Sequence, residues 1–381
     1  MRFPKVLFVF GTRPEAIKLC PVLLHMRQRS AEFEVRTCVT AQHRHMLDQV
    51  LKVFGVTPEH DLDVMKPGQT LSQSTAAIVS QLEPVLASEK PDLVLVQGDT
   101  TTTLCGALAA FYHRIPVGHV EAGLRTGDLA QPFPEEMNRV VTTRLATLHF
   151  APTARAAGVL SAEGVSAPRI VVTGNSGIDA VLYVQQALES GALPSSNWPQ
   201  LDPARKLIVV TAHRRESFGA GFERICVALT EIARRPDVQI VYPVHRNPNV
   251  VGPVEKHLAS NPNIVLLEPL DYVPFVDLMR RACILLTDSG GIQEEGPSLG
   301  KPVLVMRDKT ERPEAVEAGT VRLVGTDPEA IVGEAARLLE DPEERRRMSR
   351  VHNPYGDGSA SRRIADAIAA YFAEQQAAAV G

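Results

Sequence analysis

Short apolar runs alternate along the chain with longer segments in which apolar residues recur at a helical period. In the first half, the runs predicted as strands are 6–10, 35–40, 93–97, 116–121 and 148–151. The intervening segments predicted as helices include 15–29, 70–88 and 101–113. Because the strands are almost continuously apolar, both faces of their sheet should be covered, as in a parallel sheet with right-handed helical crossovers.

The same alternation starts again in the second half of the chain. The strands predicted there are 170–173, 206–211, 238–243, 264–267, 284–287, 302–305 and 321–323. The pattern therefore predicts an α/β protein of two Rossmann-like, doubly wound domains facing each other across a cleft, with the boundary near Pro168. Ligands of such sheets bind at the carboxyl ends of strands, so polar residues just after the strands are the candidates for chemistry.

Composition excludes several classes of protein. The 381 residues carry 40 Lys+Arg and 44 Asp+Glu, a formal net charge of −4, so no basic excess indicates a nucleic-acid partner. Five cysteines without a CxxC motif favour neither a disulfide framework nor structural zinc, and the His43/His45 pair has no further ligand, so no metal site is predicted. No apolar run suits a signal peptide or a membrane span, so we expect a soluble, cytoplasmic protein.

The first predicted strand runs into Gly11, and a helix follows at once. Pro14 suits the first turn of that helix, and Arg13 and Lys18 would lie close to its amino end. A helix dipole together with two cations favours an anion site. The alternative is a tight strand–helix turn with solvated charges.

Three carboxylates follow the strands of the first half. Asp99 comes after strand 93–97, Glu121 ends strand 116–121, and Glu135 stands at the start of a helix. Each alone has a structural alternative, as a helix cap or as a partner of a helix dipole. Together at one sheet edge they favour proton transfer, because neighbouring carboxylates push their pKa values apart.

Basic and glycine-rich loops follow the strands of the second half. His213, followed by two arginines, suits a diphosphate, and the backbone N–H groups of 289–291 could hold phosphate oxygens. Glu295, one turn inside the next helix, is placed to accept from ribose hydroxyls, while Arg307 and Arg312 add positive charge on the same side. A glycine-eased turn with a capped helix is the alternative. The loop matches neither the Walker motif nor G-x-G-x-x-G, so neither ATP hydrolysis nor NAD binding is predicted.

Ten sequence blocks, in order, carry a resemblance that covers essentially the whole chain. They are FGTRPEAIK, TAQHR, GDTTTT, GHVEAGLRTGD, PEEMNR, HRRESFG, YPVHRNPNV, TDSGGIQEE, GKPVLVMRDKTERPEAV and HNPYGDG. The chain resembles the non-hydrolysing UDP-N-acetylglucosamine 2-epimerases of bacteria. The resemblance implies a GT-B architecture, a homodimer, no cofactor, and reversible conversion of UDP-GlcNAc to UDP-ManNAc for cell-envelope polysaccharides. It also implies that the C-terminal helix crosses back, so that residues 1–168 with 361–381 form the first domain and 169–360 the second, UDP-binding domain.

The resemblance also implies roles for individual residues. The matched catalytic residues are Asp99, Glu121, Glu135 and His213. The matched substrate contacts are Arg13, Lys18, Asp99, Glu121, His213, Phe275, Ser289, Gly290, Gly291, Glu295 and Arg312.

Some members of this family are activated by a second UDP-GlcNAc molecule. Gln42, Arg214 and His245 match positions associated with that effect, whereas His45 and the 66–69 stretch differ from strongly activated members. Two other enzymes stay open as alternatives at this point: a GT-B glycosyltransferase and a hydrolysing epimerase, both using UDP-GlcNAc. A non-catalytic nucleotide-sugar sensor is disfavoured by the carboxylate set.

Overall fold

The computed structural model describes residues 3–41, 44–350 and 353–380. The chain divides into two compact domains: the first comprises Met1–Ala180 and Gly356–Gly381, and the second comprises Val181–Tyr355. Each domain is built on one parallel sheet, with seven strands in the first and six in the second. The predicted α/β class with two doubly wound domains, the domain type of GT-B proteins, is confirmed.

The first domain alternates strands and helices almost without interruption. Its elements are β1 (Lys5–Phe10), α1 (Arg13–Gln28), β2 (Glu34–Val39), α2 (Arg44–Val53), β3 (His60–Asp61), α3 (Leu71–Glu89), β4 (Leu93–Gln97), α4 (Thr101–Tyr112), β5 (Val117–Val120), α5 (Glu135–Leu145), β6 (Leu148–Ala151), α6 (Ala154–Ala162), β7 (Ile170–Val172) and α7 (Ser176–Glu189), which contains the domain boundary. The strand order is β3-β2-β1-β4-β5-β6-β7. The order reverses between β1 and β4, which is where a doubly wound sheet opens a ligand site.

The second domain repeats this plan. Its elements are β8 (Lys206–Thr211), α8 (Ala220–Ile232), β9 (Val238–Pro243), α9 (Pro248–Leu258), β10 (Ile264–Leu267), α10 (Tyr272–Arg281), β11 (Ile284–Thr287), α11 (Gly290–Ser298), β12 (Val303–Val305), α12 (Pro313–Glu317), β13 (Val321–Leu323), α13 (Pro328–Glu340) and α14 (Pro342–Arg350). The strand order is β10-β9-β8-β11-β12-β13, so the reversal lies between β8 and β11. The four central strands, β8, β9, β11 and β12, are buried on both faces, as their apolar runs predict, whereas the edge strands β10 and β13 are partly exposed.

One strand lies in a different sheet from the one that the sequence pattern assigns to it. Residues 170–173 are predicted as the first strand of the second half, but β7 pairs with β6 at the edge of the first sheet. That assignment is wrong because a short apolar run does not specify which strand it pairs with. Val172 is 49% exposed, which fits a strand at the edge of a sheet. The first domain accordingly extends to Ala180, whereas the sequence pattern suggests a boundary near Pro168.

The chain returns to the first domain at its end. The last helix, α15 (Ala360–Val380), packs against α1, and Arg29 Nη1 lies 2.6 Å from Asp366 Oδ1. Asp179 of α7 accepts hydrogen bonds from the backbone N–H groups of Ala360 (3.2 Å) and Ser361 (2.8 Å). These N–H groups belong to the first turn of α15 and have no partner inside the helix, so Asp179 caps it.

Among the residues that the structure describes, no helix is both long and apolar enough to cross a membrane. Within the same residues, no cluster of three or more His, Cys, Asp or Glu side chains is arranged to hold a metal ion.

Candidate active site

The loop between β1 and α1 is fastened by a buried glutamate. Glu15, 0% exposed, accepts from the backbone N–H groups of Gly11 (3.1 Å) and Thr12 (2.7 Å) and from Thr100 Oγ1 (2.7 Å). Burial raises the pKa of Glu15, and these hydrogen bonds act against that rise. Because Thr100 lies in the β4–α4 loop, Glu15 joins the start of α1, where Arg13 lies, to the loop that carries Asp99.

Glu121 lies at the end of β5, between two donors. Lys18 Nζ donates to its Oε1 and Gln97 Nε2 to its Oε2, and the Glu121 side chain is 9% exposed. Its backbone has a φ of 64°, in the left-handed region that side chains other than glycine rarely adopt. Such backbone strain persists where the surrounding structure holds it, and it is concentrated at functional sites.

Asp99 is held by residues of α5. Arg139 Nη2 donates to its Oδ2, and Asn138 Nδ2 donates to its backbone carbonyl at 2.8 Å. Burial raises the pKa of the Asp99 carboxyl; Arg139 lowers it in part, and the charge of Glu121 raises it further. The structure thus brings Asp99 and Glu121 together at the β4–β5 edge, as the sequence predicts, and Lys18, predicted for an anion site, joins them there.

Glu135 is the first residue of α5 and is half-buried. The neighbouring Glu136 is 1% exposed and accepts from the backbone N–H groups of Thr126 (2.9 Å) and Gly127 (3.0 Å). No hydrogen bond or ion pair joins the Glu135 carboxylate to Asp99 or Glu121 in the described part of the chain. The helix that starts at Glu135 nevertheless reaches Asp99 through Asn138 and Arg139.

A buried histidine lies behind the two carboxylates. His119 on β5 is 0% exposed, and its Nε2 lies 2.7 Å from the carbonyl oxygen of Gly98, the residue before Asp99. A carbonyl only accepts, so Nε2 carries the proton and Nδ1 does not. Burial lowers the pKa of His119 to about 4. His119 therefore links β5 to the Asp99 turn as a neutral imidazole.

This histidine should make folding stability depend on pH. Between pH 6.5, its ordinary pKa, and about 4, the unfolded chain binds a proton on His119 and the folded chain does not. The contribution of His119 to the free energy of unfolding should therefore fall by about 1.4 kcal/mol per pH unit as pH drops through this window. In H119Q the amide takes the place of Nε2 and does not titrate, so its urea-unfolding free energy should fall less from pH 6.5 to pH 4.5. Equal slopes for wild type and H119Q, with the exposed His113→Gln as control, would contradict the assignment.

The carboxyl edge of the second sheet carries the predicted diphosphate residues. His213 follows β8, and its ring stacks on that of His245, after β9, with centroids 5.3 Å apart. Burial lowers the pKa of His213, while Asp288 raises it in part. Asp288 is 0% exposed and accepts from the backbone N–H groups of His213 (2.6 Å) and Arg214 (2.7 Å), so it fixes the loop after β8 to the end of β11.

Two guanidinium groups lie beside the amino end of α11. Ser289 caps this helix without a side-chain hydrogen bond, and α11 begins at Gly290. A Cβ built on Gly290 would lie 3.7 Å from Arg312 Nη2 and 4.0 Å from Arg214 Nη2. Free N–H groups of a first helical turn beside two guanidinium groups form a suitable anion site.

The remaining predicted residues lie around this loop. A Cβ atom placed on Gly291 would lie 4.0 Å from Glu295 Oε1, so this carboxylate adjoins the glycine loop. Phe275 is half-buried on α10. Arg307 is ion-paired with Glu216, and Arg312 with Glu294, so both predicted cations also have carboxylate partners. Of the predicted effector residues, Arg214 and His245 adjoin His213, and Gln42 lies outside the described residues.

Two side chains that contact the predicted carboxylates directly are absent from the sequence-based predictions. Gln97 and Arg139 are the direct partners of Glu121 and Asp99. Arg139 lies one helical turn after Glu135, so a search of i+4 positions from the predicted carboxylates could have found it. Gln97 carries no such signal, because it ends an apolar strand and resembles an ordinary strand terminus.

Comparison with known proteins shows which family the chain is similar to. The family model described as UDP-N-acetylglucosamine 2-epimerase matches residues 25–369. The chain is 60% identical over 369 residues to UDP-N-acetylglucosamine 2-epimerase of Escherichia coli strain K12, covering 96% of this chain and 98% of that protein. The chain is also similar to the crystal structure of UDP-GlcNAc 2-epimerase from Neisseria meningitidis bound to UDP-GlcNAc. The TM-score is 0.86 and the sequence identity 48%, over 96% of this chain and 99% of that one. A Listeria monocytogenes structure, described as a putative UDP-N-acetylglucosamine 2-epimerase, has a TM-score of 0.92 at 44% identity, over 98% of each chain.

Proposed function

Because this chain belongs to the UDP-N-acetylglucosamine 2-epimerase family, we propose that it is a non-hydrolysing isomerase that interconverts UDP-GlcNAc and UDP-ManNAc. The observation that carries the proposal is the pair of partly buried carboxylates, Asp99 and Glu121, held by Arg139 and Lys18 at one sheet edge. A binding protein for nucleotide sugars needs no such acid/base pair. The Neisseria meningitidis relative is bound to UDP-GlcNAc, which supports this choice of substrate.

The substrate itself restricts the mechanism. The hydrogen at C2 of a 2-acetamido sugar is not adjacent to a carbonyl, so its direct removal would leave an unstabilised carbanion. Departure of UDP makes C1 electron-deficient, and the C2 proton can then be removed. We therefore propose anti elimination to 2-acetamidoglucal and UDP, followed by readdition of UDP with protonation of the opposite face of C2.

Elimination requires a site that stabilises negative charge on the departing diphosphate. In the second domain we assign this role to His213, the 289–291 amides and Arg312, with Glu295 accepting from the ribose and Phe275 beside the uracil. In the first domain, Arg13 and Lys18 supply further positive charge. Preorganised donors of this kind stabilise charge that develops in the transition state.

Inversion at C2 requires an acid or base on each face of the sugar. Asp99, Glu121 and Glu135 are the proposed groups, because the first two are partly buried and near enough for the charge of Glu121 to raise the pKa of Asp99, and the third begins the helix that holds Asp99. We also propose that the active enzyme is a homodimer, and that Arg214 and His245 contribute to an effector site for a second UDP-GlcNAc.

Solvent deuterium tests the proposed reaction. When the enzyme turns over UDP-GlcNAc in D₂O, deuterium should appear at C2 of both the recovered substrate and UDP-ManNAc, because each readdition takes a proton that has exchanged with solvent. The measurement is the loss of the C2 proton signal by ¹H NMR. Product that carries its original hydrogen at C2 would contradict elimination. Free ManNAc would identify a hydrolysing enzyme, and consumption of UDP-GlcNAc only with an added acceptor would identify a glycosyltransferase.

A further inference from the structure

One buried carboxylate oxygen in the second domain, Asp288 Oδ1, has no hydrogen-bond partner among the described residues. Asp288 Oδ2 is occupied by the backbone N–H groups of His213 and Arg214, which fix the carboxylate in place. Its Oδ1 is buried, makes no hydrogen bond with any described residue, and lies 3.6 Å from Nδ1 of His213. Buried polar atoms almost always have a hydrogen-bond partner, so an orphaned carboxylate oxygen beside an imidazole calls for a functional explanation.

We propose that Asp288 is a positioning residue for His213: its Oδ1 accepts the Nδ1 proton of the imidazole and directs Nε2 toward the diphosphate of the nucleotide. This inference rests on the proposed function only in taking UDP as the ligand of this loop. A carboxylate that accepts a hydrogen bond from one ring nitrogen of a histidine fixes the tautomer and the orientation of the ring, so that the other nitrogen faces the ligand. The ring needs to move by less than 1 Å to reach hydrogen-bond distance, since ordinary N–H···O bonds are about 2.9 Å long.

The charges around His213 determine when it is protonated. It faces Asp288 at the end of β11 and stacks on His245 from the loop after β9, and Arg214 follows it in its own loop. Arg312 and Arg214 both lie near Gly290. Burial lowers the pKa of His213, Asp288 raises it in part, and His245 and Arg214 lower it further. In the proposed arrangement the free ring is neutral and carries its proton on Nδ1, facing Asp288. A bound diphosphate adds negative charge on the other side of the ring and reverses this balance.

The proton and electrons can then be followed through the reaction. When UDP or the nucleotide sugar binds, Nε2 takes a proton from solvent, and the imidazolium lies between two anions, Asp288 and the diphosphate. When the C1–O bond breaks, its electron pair goes to the diphosphate oxygen, while the C2–H electron pair forms the C1=C2 double bond and the C2 proton goes to a carboxylate base of the first domain. The imidazolium stabilises the extra negative charge by donating from Nε2 and keeps its proton. Readdition to C1 reverses these changes.

The Asp288→Asn variant separates this role from loop anchoring. The asparagine oxygen can still accept from the two backbone N–H groups, but its NH₂ now faces Nδ1 and donates to it. Nitrogen-15 NMR of the histidine ring should show His213 protonated on Nδ1 in the wild type and on Nε2 in D288N. Calorimetry of UDP binding in two buffers of different ionisation enthalpy should show proton uptake in the wild type and less in D288N. A wild-type ring protonated on Nε2, or equal uptake in both proteins, would overturn the proposal.

Kinetics provide a second, independent arm. D288N should lower kcat/KM roughly 10–100-fold, the range for losing one charge-assisted hydrogen bond. In an H213Q background, D288N should cause little further loss, because both substitutions remove the same Asp288–His213 interaction. Asp277→Asn is the matched control: Asp277 is also 0% exposed and ion-paired, but with Arg280 of the same helix, and its variant should leave the His213 tautomer unchanged. Additive losses in D288N and H213Q would overturn the proposal. A wild type that shows no exchange at C2 would instead contradict the proposed function, while the ring tautomer would still report on Asp288.

Discussion

The Glu121→Gln variant should lose about 10²–10⁴-fold in kcat, the usual contribution of one positioned acid or base. Glutamine has the shape of the glutamate, and its oxygen can still accept from Lys18. Its NH₂ can face Gln97 if the Gln97 amide turns over. The fold of this edge should therefore survive while the group that exchanges a proton is lost. The measurements are kcat and the rate of deuterium incorporation at C2, both of which should fall together.

A matched control separates loss of chemistry from loss of an ion pair. Glu89 is also a partly buried glutamate of the first domain, paired with Lys5 Nζ at 2.9 Å, but Lys5 lies at the opposite, amino end of β1. Glu89→Gln should keep activity close to that of the wild type, with a change in thermal stability similar to that of E121Q. An E121Q enzyme with full turnover would remove Glu121 from the acid/base role.

The Asp99→Asn variant should also lose about 10²–10⁴-fold in kcat, because it removes a second acid or base. Here the pH profile carries a further signature. The folded pKa of Asp99 is raised, so in the direction in which Asp99 removes the proton, kcat/KM should fall as pH drops through a value above the ordinary aspartate range. The acidic limb of the profile should be absent in D99N.

A substitution of Arg139 tests whether the acidic limb of the pH profile of kcat/KM belongs to Asp99. Its guanidinium lowers the pKa of Asp99 against the effect of burial. In Arg139→Met the carboxyl should hold its proton to higher pH, so the acidic limb should move upward. A limb that stays in place in R139M and persists in D99N would belong to another group, and Asp99 would then not be the base.

The sequence predicts the positions of the reactive groups better than their partners. Periodicity and strand ends are enough to place Asp99, Glu121 and Lys18 at one sheet edge, since parallel strands bring their carboxyl ends together. The same reasoning cannot predict that Gln97 faces Glu121, because this contact depends on the register between β4 and β5.

Other features cannot be predicted from the sequence because they depend on contacts made only in the folded protein. The left-handed backbone of Glu121 opposes the local preference of a glutamate, and only the surrounding contacts maintain it. The orphaned oxygen of Asp288 depends on which of two carboxylate oxygens the loop amides occupy. Assignment of residues 170–173 to the wrong sheet shows the same limit, because strand neighbours are set by the whole domain rather than by the strand itself.

The left-handed backbone at Glu121 has an evolutionary consequence. A non-glycine residue in this conformation costs roughly 1–2 kcal/mol relative to glycine, so the glutamate is kept at the expense of stability. One nucleotide change converts a glutamate codon to a glycine codon. A paralogue released from selection for its chemistry should therefore drift to glycine here early, which would make this position a genetic marker of lost catalysis.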